Sequence, residues 1–106
     1  MFFIVRNKVW KVSFVSPQHH VLQTLFGDYT VGAADNETKT IYLSNELYGN
    51  FLWKVLCHEL VHAFCFEYQC NLPVEMEEFM ADFIAKYGKD IVVMTDNFFN
   101  QIKRDI

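Results

Sequence analysis

One apolar run, residues 51–68, constrains the fold more than any other part of the chain, because it has the character of a long, largely buried helix. It contains the segment His58-Glu59-Leu60-Val61-His62. Side chains four residues apart lie one above the other on a helix, so His58 and His62 can present both imidazoles to one ion. Burying two imidazoles and a carboxylate is costly unless each finds a partner. A divalent cation would satisfy all three groups, so the run predicts a helix that carries a metal site.

The spacing of these residues is H-E-x-x-H, a pattern typical of zinc peptidases. In that pattern the two histidines hold the metal, and the glutamate takes a proton from the attacking water. We therefore predict His58 and His62 as metal ligands and Glu59 as the catalytic general base. The same spacing also arises by chance in an amphipathic helix whose polar side chains face a cleft, so the rest of the chain has to support the site.

Composition limits the kind of protein that the chain can be. Its 106 residues suffice for one small domain, predicted over residues 1–106, and 52% of them are hydrophobic, which is enough for a core. A formal net charge of −4 without a basic cluster argues against a nucleic-acid partner. No segment is apolar over a membrane-spanning length, so no membrane partner is expected.

Three cysteines make an odd number and form no disulfide framework, which favours reduced thiols and a cytoplasmic location. Cys65 follows His62 by three residues, so a helix could direct it towards the same metal. The simpler interpretation, a small buried residue in an apolar helix, is the one that we favour.

Hydrophobic periodicity predicts an α+β domain in which a small antiparallel sheet packs on helices. Alternation over residues 8–15 predicts a strand, and a short helix is predicted over residues 16–26 because Ser-Pro begins it and a glycine follows it. Residues 29–34 and 39–43 flank a polar turn, so we predict a β-hairpin there.

The second half of the chain is predicted to be helical. After the H-E-x-x-H helix and a break at Pro73, apolar residues recur with helical spacing over residues 74–87. Gly88 is the predicted stop of that helix. A last helix is predicted over residues 89–103.

Histidine supplies no obvious third ligand for the metal. A catalytic zinc usually has three protein ligands and leaves the fourth position open. No histidine follows His62, which excludes the peptidase subclasses that use a downstream histidine. His19 and His20 lie upstream in a polar segment, and we expect them at the surface rather than at the metal.

A glutamate of the second predicted helix is the better third ligand. Glu78 and Asp82 are four residues apart and share a helix face, so Asp82 could hydrogen-bond the outer nitrogen of a ligating imidazole. Glu77 has Ala81 one turn on and lacks such a partner. We therefore predict Glu78 as the third ligand and Asp82 as its support, with Glu77 as the alternative ligand.

His58, Glu59, His62 and Glu78, with Asp82 one turn later, resemble the ImmA/IrrE type of small gluzincin-like metallopeptidases, which are common in bacteria, phages and mobile elements. The resemblance covers residues 40–85, and the chain resembles a minimal form of that family. It implies a zincin-type helical core and one catalytic zinc ion held by these ligands. It also implies that an edge strand binds the substrate backbone, here through Thr40, Ile41, Tyr42 and Leu43.

The function that these observations predict is zinc-dependent hydrolysis of peptide bonds in a protein or peptide substrate, including selective cleavage of one regulatory protein. The alternative is a zinc-containing interaction module that binds a partner with little or no proteolysis. Glu59 favours the peptidase, because a purely structural zinc site needs no base and normally has four protein ligands. The residue that stabilises the oxyanion is not assigned, and Tyr42, Tyr48 and the His19/His20 pair are only candidates.

Overall fold

The structure, a computed structural model, describes residues 1–105 of the chain and the side chains of residues 1–103. This part contains both strands and helices, so the prediction of an α+β domain is confirmed. The strands are β1 (Phe2–Val5), β2 (Lys8–Val15), β3 (Gly32–Asp35) and β4 (Thr40–Ser44). The helices are α1 (Gly49–Glu67), α2 (Val74–Phe83) and α3 (Lys89–Asp105), and a π-helical segment (Ile84–Gly88) joins α2 to α3.

The strands form a mixed sheet in the order β1-β2-β4-β3. β1 pairs with β2 and β3 pairs with β4 in the antiparallel sense, whereas β2 and β4 are parallel. The prediction of an antiparallel sheet is therefore wrong at the centre of the sheet. The chain reverses between β2 and β3 and again between β3 and β4, so β4 runs in the same direction as β2.

The β1–β2 hairpin was not predicted, because its turn does not have the usual sequence. Arg6 and Asn7 occupy the turn with φ of 45° and 70°. Two-residue hairpin turns with positive φ at both positions usually contain glycine. The hairpin places Val5 and Trp10 in the core, where both are almost completely buried.

The prediction of a helix over residues 16–26 is wrong, since the helical structure of this segment is a single 3₁₀ turn, His20–Leu22. Side chains bond the local backbone instead. The backbone N–H of Gln18 donates to Ser16 Oγ, and that of Val21 donates to His19 Nδ1. Such bonds compete with helix formation. Leu22 is the buried residue of the turn, so little apolar burial favours a longer helix.

α1 packs across the sheet and carries the metal-site motif. The helix predicted over residues 51–68 is confirmed within two residues of α1 at each end. Its inward face contributes Val55 and Ala63 to the core, which also contains Trp10, Ile41 and Leu43. α2 and the π-helical segment contact α1 as well, and the neighbouring face of α1, which carries His58 and His62, meets α2.

α2, the π-helical segment and α3 form one continuous helical rod, so the predicted stop at Gly88 is wrong. A Cβ atom at Gly88 would lie 3.1 Å from Ile84 Cγ2, so the glycine relieves crowding inside the π-helical segment instead of ending the helix. The helix predicted over residues 89–103 is present as α3. In the described part of the chain, no helix combines the length and the apolar character needed to cross a membrane.

Candidate metal centre

Three potential ligand atoms converge between α1 and α2. His58 Nε2 and His62 Nε2 are 3.1 Å apart. The Glu78 carboxylate reaches both, with Oε2 at 3.3 Å from His58 Nε2 and Oε1 at 2.8 Å from His62 Nε2. The structure thus brings together the three predicted ligands as a cluster that could hold a metal ion.

The outer nitrogen of each imidazole has its own carboxylate. His58 Nδ1 is 2.8 Å from Asp82 Oδ1, and His62 Nδ1 is 2.6 Å from Glu77 Oε2. A carboxylate accepts the Nδ1–H hydrogen, so each neutral imidazole keeps its lone pair on Nε2. Asp82 therefore lies where it was predicted. Glu77, the alternative third ligand, contacts the outer nitrogen of His62 instead.

The donor set fits a cation. With both Nδ1 atoms protonated, two Nε2 lone pairs and a carboxylate face one another at 2.8–3.3 Å with no donor hydrogen between them. Ligand atoms at ~2.0–2.1 Å from a tetrahedral zinc ion are about 3.3 Å apart, which is close to these separations. Imidazole and carboxylate ligands also suit other divalent metals, so the geometry points to a metal without identifying it.

Glu59 lies beside the cluster and faces the sheet. It is buried, and burial raises the pKa of its carboxyl group above the ordinary 4.5. A positive charge on His58 or His62 would lower that pKa, Glu78 raises it, and a backbone hydrogen bond from Ala34 lowers it. A carboxylate held between imidazoles and a strand is well placed to accept and release a proton.

Gly32 provides the space that Glu59 occupies. A Cβ atom built on Gly32 would lie 3.3 Å from Glu59 Oε2 and only 2.7 Å from Val55 Cγ1. The close approach of β3 to α1 therefore depends on the missing side chain. Sequence reasoning did not identify Gly32 or Ala34 as part of the site, although a glycine within a strand often marks such an approach.

The prediction that residues 40–43 form an edge strand that binds the substrate is wrong. Thr40, Ile41, Tyr42 and Leu43 belong to β4, which lies inside the sheet between β2 and β3. Both backbone edges of β4 are already paired, and Thr40, Ile41 and Leu43 are completely buried. β4 therefore cannot accept another strand.

The edge of the sheet next to Glu59 is β3. The Ser44 N–H donates to the Val31 carbonyl at 2.9 Å, and antiparallel pairs alternate between bonded and non-bonded positions. The backbone groups of Gly32 and Ala34 therefore point away from β4. This agrees with the Ala34 hydrogen bond to Glu59.

A cavity of about 410 Å³ opens beside these groups. Its lining includes Gly32 on β3, Val55, His58 and Glu59 on α1, and Asp82 on α2. The cavity thus connects the edge strand, the buried carboxylate and one imidazole of the metal cluster. An extended chain could reach all three from one side.

The other candidate residues do not belong to the ligand cluster. His19 and His20 stack on each other, with ring centroids 4.4 Å apart, on the 3₁₀ turn. The Cys65 thiol lies near Cys70 and Glu77, and burial together with these neighbours raises its pKa to about 12. Cys65 is therefore a protonated thiol at neutral pH.

Tyr42 and Tyr48 show no link to the cluster. The Tyr42 hydroxyl lies 3.3 Å from Thr38 Oγ1, and Tyr48 is exposed ahead of α1.

Comparisons of the chain with known protein families, with curated proteins and with solved structures found no match.

Proposed function

We propose that this chain is a zinc-dependent endopeptidase of the kind that the ImmA/IrrE resemblance implies. The observation that carries the proposal is the convergence of His58 Nε2, His62 Nε2 and the Glu78 carboxylate beside the buried Glu59. Two protein carboxylates hold the outer nitrogens of the imidazoles, which fixes their orientation. A binding module would not require an additional carboxylate with this placement.

The proposed chemistry is general-base hydrolysis of a peptide bond. A divalent metal held by the three ligands would polarise the carbonyl and make water acidic enough to ionise near pH ~7. Glu59 takes the proton of the attacking water and passes it to the leaving amine. The Ala34 N–H, by bonding the Glu59 carboxylate, holds it towards the cavity.

The substrate is an extended segment that pairs with β3. In the described part of the chain this strand is an edge strand of the sheet, and it lies against Glu59 and the cavity. Strand addition would place the substrate backbone along the metal cluster. The shallow, open site suits an unfolded or extended protein segment better than an enclosed small molecule.

Metal content tests the site itself. We expect wild-type protein to bind one zinc ion, His62→Ala to lose it, and Glu77→Gln to bind it about 10- to 100-fold more weakly, because Glu77 orients His62. Glu75→Gln is the matched control, since Glu75 is exposed on the same helix. Full zinc occupancy in His62→Ala would remove the basis of the proposal.

Mapping of new protein N-termini in a cell extract tests the activity. Zinc-loaded wild type is expected to generate cleavage sites that are missing with Glu59→Gln, a variant that keeps the metal ligands. Melting temperature and zinc content of the two proteins provide the control for folding. If the two profiles are identical while both proteins hold zinc, the peptidase function is rejected and an interaction module takes its place.

A further inference from the structure

α1 and the rod that contains α2 face each other in an antiparallel register with two successive ion pairs. His62 meets Glu78 at 2.8 Å, and one turn further His58 meets Asp82 at 2.8 Å. Lys54 lies one turn before His58 on α1, Lys86 follows Asp82 by four residues in the π-helical segment, and both line the cavity. The two ion pairs are complementary, whereas the cavity beside them is lined by two cations.

The register continues beyond the lysine pair. Lys89 Nζ lies 5.8 Å from the centroid of the Trp53 ring, so α1 and the rod are still in contact one step further. The two helices thus place Lys54 and Lys86 in the lining of the same cavity. They are positioned by the packing of the helices rather than by chance on a loop.

Neither lysine has a carboxylate partner. Among the side chains of residues 1–103, the ion pairs involve other groups, and Lys86 Nζ lies over the Tyr87 ring at 5.4 Å. The carboxylates that line the cavity are engaged elsewhere, Asp82 with His58 and Glu59 with Ala34. Two cations that line one cavity repel each other unless an anion lies between them.

We propose that Lys54 and Lys86 bind a carboxylate of the substrate and make this site selective for acidic segments. The inference rests on the proposed peptidase function and specifies its substrate class. One helical turn, about 5.4 Å, separates the lysines from the His58 level. An extended chain advances about 3.3 Å per residue, so the carboxylate belongs within one or two residues of the cleaved bond.

Paired peptides test the selectivity. Within each pair one peptide has Glu and the other has Gln at a single position, and the pairs cover every position within two residues of the bond that wild type cleaves. Each peptide is made with a free and with an amidated C-terminus. We expect kcat/KM to favour Glu over Gln about five- to tenfold at one position, as two partly exposed ion pairs allow. A preference for the free C-terminus without a side-chain preference would identify the terminal carboxylate as the bound group.

Variants assign the preference to the lysines. In the double variant Lys54→Ala/Lys86→Ala, the ratio of kcat/KM for the Glu peptide to that for the Gln peptide is expected to fall to about one. In the double variant Lys54→Glu/Lys86→Glu, a peptide with Lys at the same position is expected to be preferred over the Glu peptide. Lys89→Ala is the matched control and should keep the wild-type ratio. Lys54→Gln/Lys86→Gln replaces the alanine variant if that protein has a lowered melting temperature. An unchanged ratio in folded variants overturns the proposal.

Binding separates this proposal from the peptidase function. The same fluorescently labelled peptides are titrated, by anisotropy, into zinc-loaded Glu59→Gln with and without the lysine substitutions. If lysine-dependent preference for the carboxylate is seen but wild type cleaves nothing, the lysine site is retained and the peptidase function fails. If wild type cleaves peptides without any preference, in kcat/KM or in binding, the lysine site is rejected and the peptidase stands.

Discussion

At the scale of single residues, the position that limits the site most is Gly32, which has no side chain. α1 presents Val55 and Glu59 to β3, one turn apart, and the strand approaches so closely that no Cβ atom fits between them. The Ala34 N–H can bond Glu59 only because of this approach. The base therefore depends on the packing between the strand and the helix as much as on its own identity.

Gly32→Ala is expected to lower the free energy of unfolding by about 1–3 kcal/mol, the usual cost of overpacking. The added Cβ would lie 2.7 Å from Val55 Cγ1, so β3 has to move away from α1. Urea denaturation measures the loss. Val55→Ala provides the control, because it removes the methyl group that clashes. The double variant should be more stable than the sum of the two single changes implies. Strict additivity would show that β3 already has room for a side chain.

The metal cluster could be predicted from the sequence to the extent that it follows helical spacing. His58 and His62 share a face of α1, and Glu78 and Asp82 share a face of α2, so two antiparallel helices suffice to bring the four together. Glu77 was weighed only as a rival ligand, because spacing along α2 does not reveal which side chain reaches His62 Nδ1. That contact depends on how the two helices are rotated.

At the scale of elements, Glu67 ties the end of α1 to the sheet. Its carboxylate accepts the Trp10 indole N–H at 2.7 Å and pairs with Lys39 at 2.9 Å. The Glu67 carbonyl also accepts a hydrogen bond from Arg6 at 3.1 Å. Glu67, in the last turn of α1, thus contacts β2, the turn between β3 and β4, and the β1–β2 turn.

The contribution of Glu67 to stability should depend on pH. The hydrogen bond from Lys39 lowers the pKa of Glu67 below the ordinary 4.5, burial opposes this, and the Trp10 hydrogen bond lowers it further. A folded-state pKa below the unfolded value stabilises the protein above that unfolded value, and the gain is lost as pH falls through the folded pKa. Wild type should therefore be more stable than Glu67→Gln at neutral pH, and the difference should shrink as pH falls below 4.5 and through the lowered folded pKa.

Urea midpoints across that pH range measure this effect. Glu75→Gln, which alters an exposed carboxylate of α2, is the matched control and should follow wild type. A constant difference between wild type and Glu67→Gln at every pH would show that the lost ion pair does not titrate in the folded protein. The indole bond would then account for the whole effect.

The elements that the sequence predicted correctly are those with strong burial patterns. α1 and the β3–β4 hairpin both contribute apolar side chains to the core, so local pattern and tertiary packing agree. Residues 16–26 have helix-starting chemistry but bury little apart from Leu22, and the parallel pairing of β2 with β4 depends on the path of the whole chain. Gly88 was misjudged because a π-helical segment uses the glycine internally.

At the scale of the whole molecule, the chain is elongated because the rod extends beyond the domain. The principal extents are 56, 30 and 28 Å. The π-helical segment packs on α1, with Ala85 buried, whereas α3 contacts mainly that segment. Apolar side chains of α3, such as Phe98 and Phe99, are more than half exposed. α3 therefore adds little to the packing that holds the metal cluster.

A chain that ends after Lys89 is expected to melt within about 8 °C of wild type and to bind zinc equally, since a loss below about 1 kcal/mol shifts the melting temperature of a domain this size by up to that amount. Lys89 is retained because it lies over Trp53. Ending the chain after Phe83 instead should unfold the protein, because this removes the buried Ala85. Thermal melts by circular dichroism, with zinc analysis, compare the three proteins. A large drop after Lys89 would mean that α3 stabilises the site through contacts with the domain, and the metal cluster would then depend on the full length of the rod.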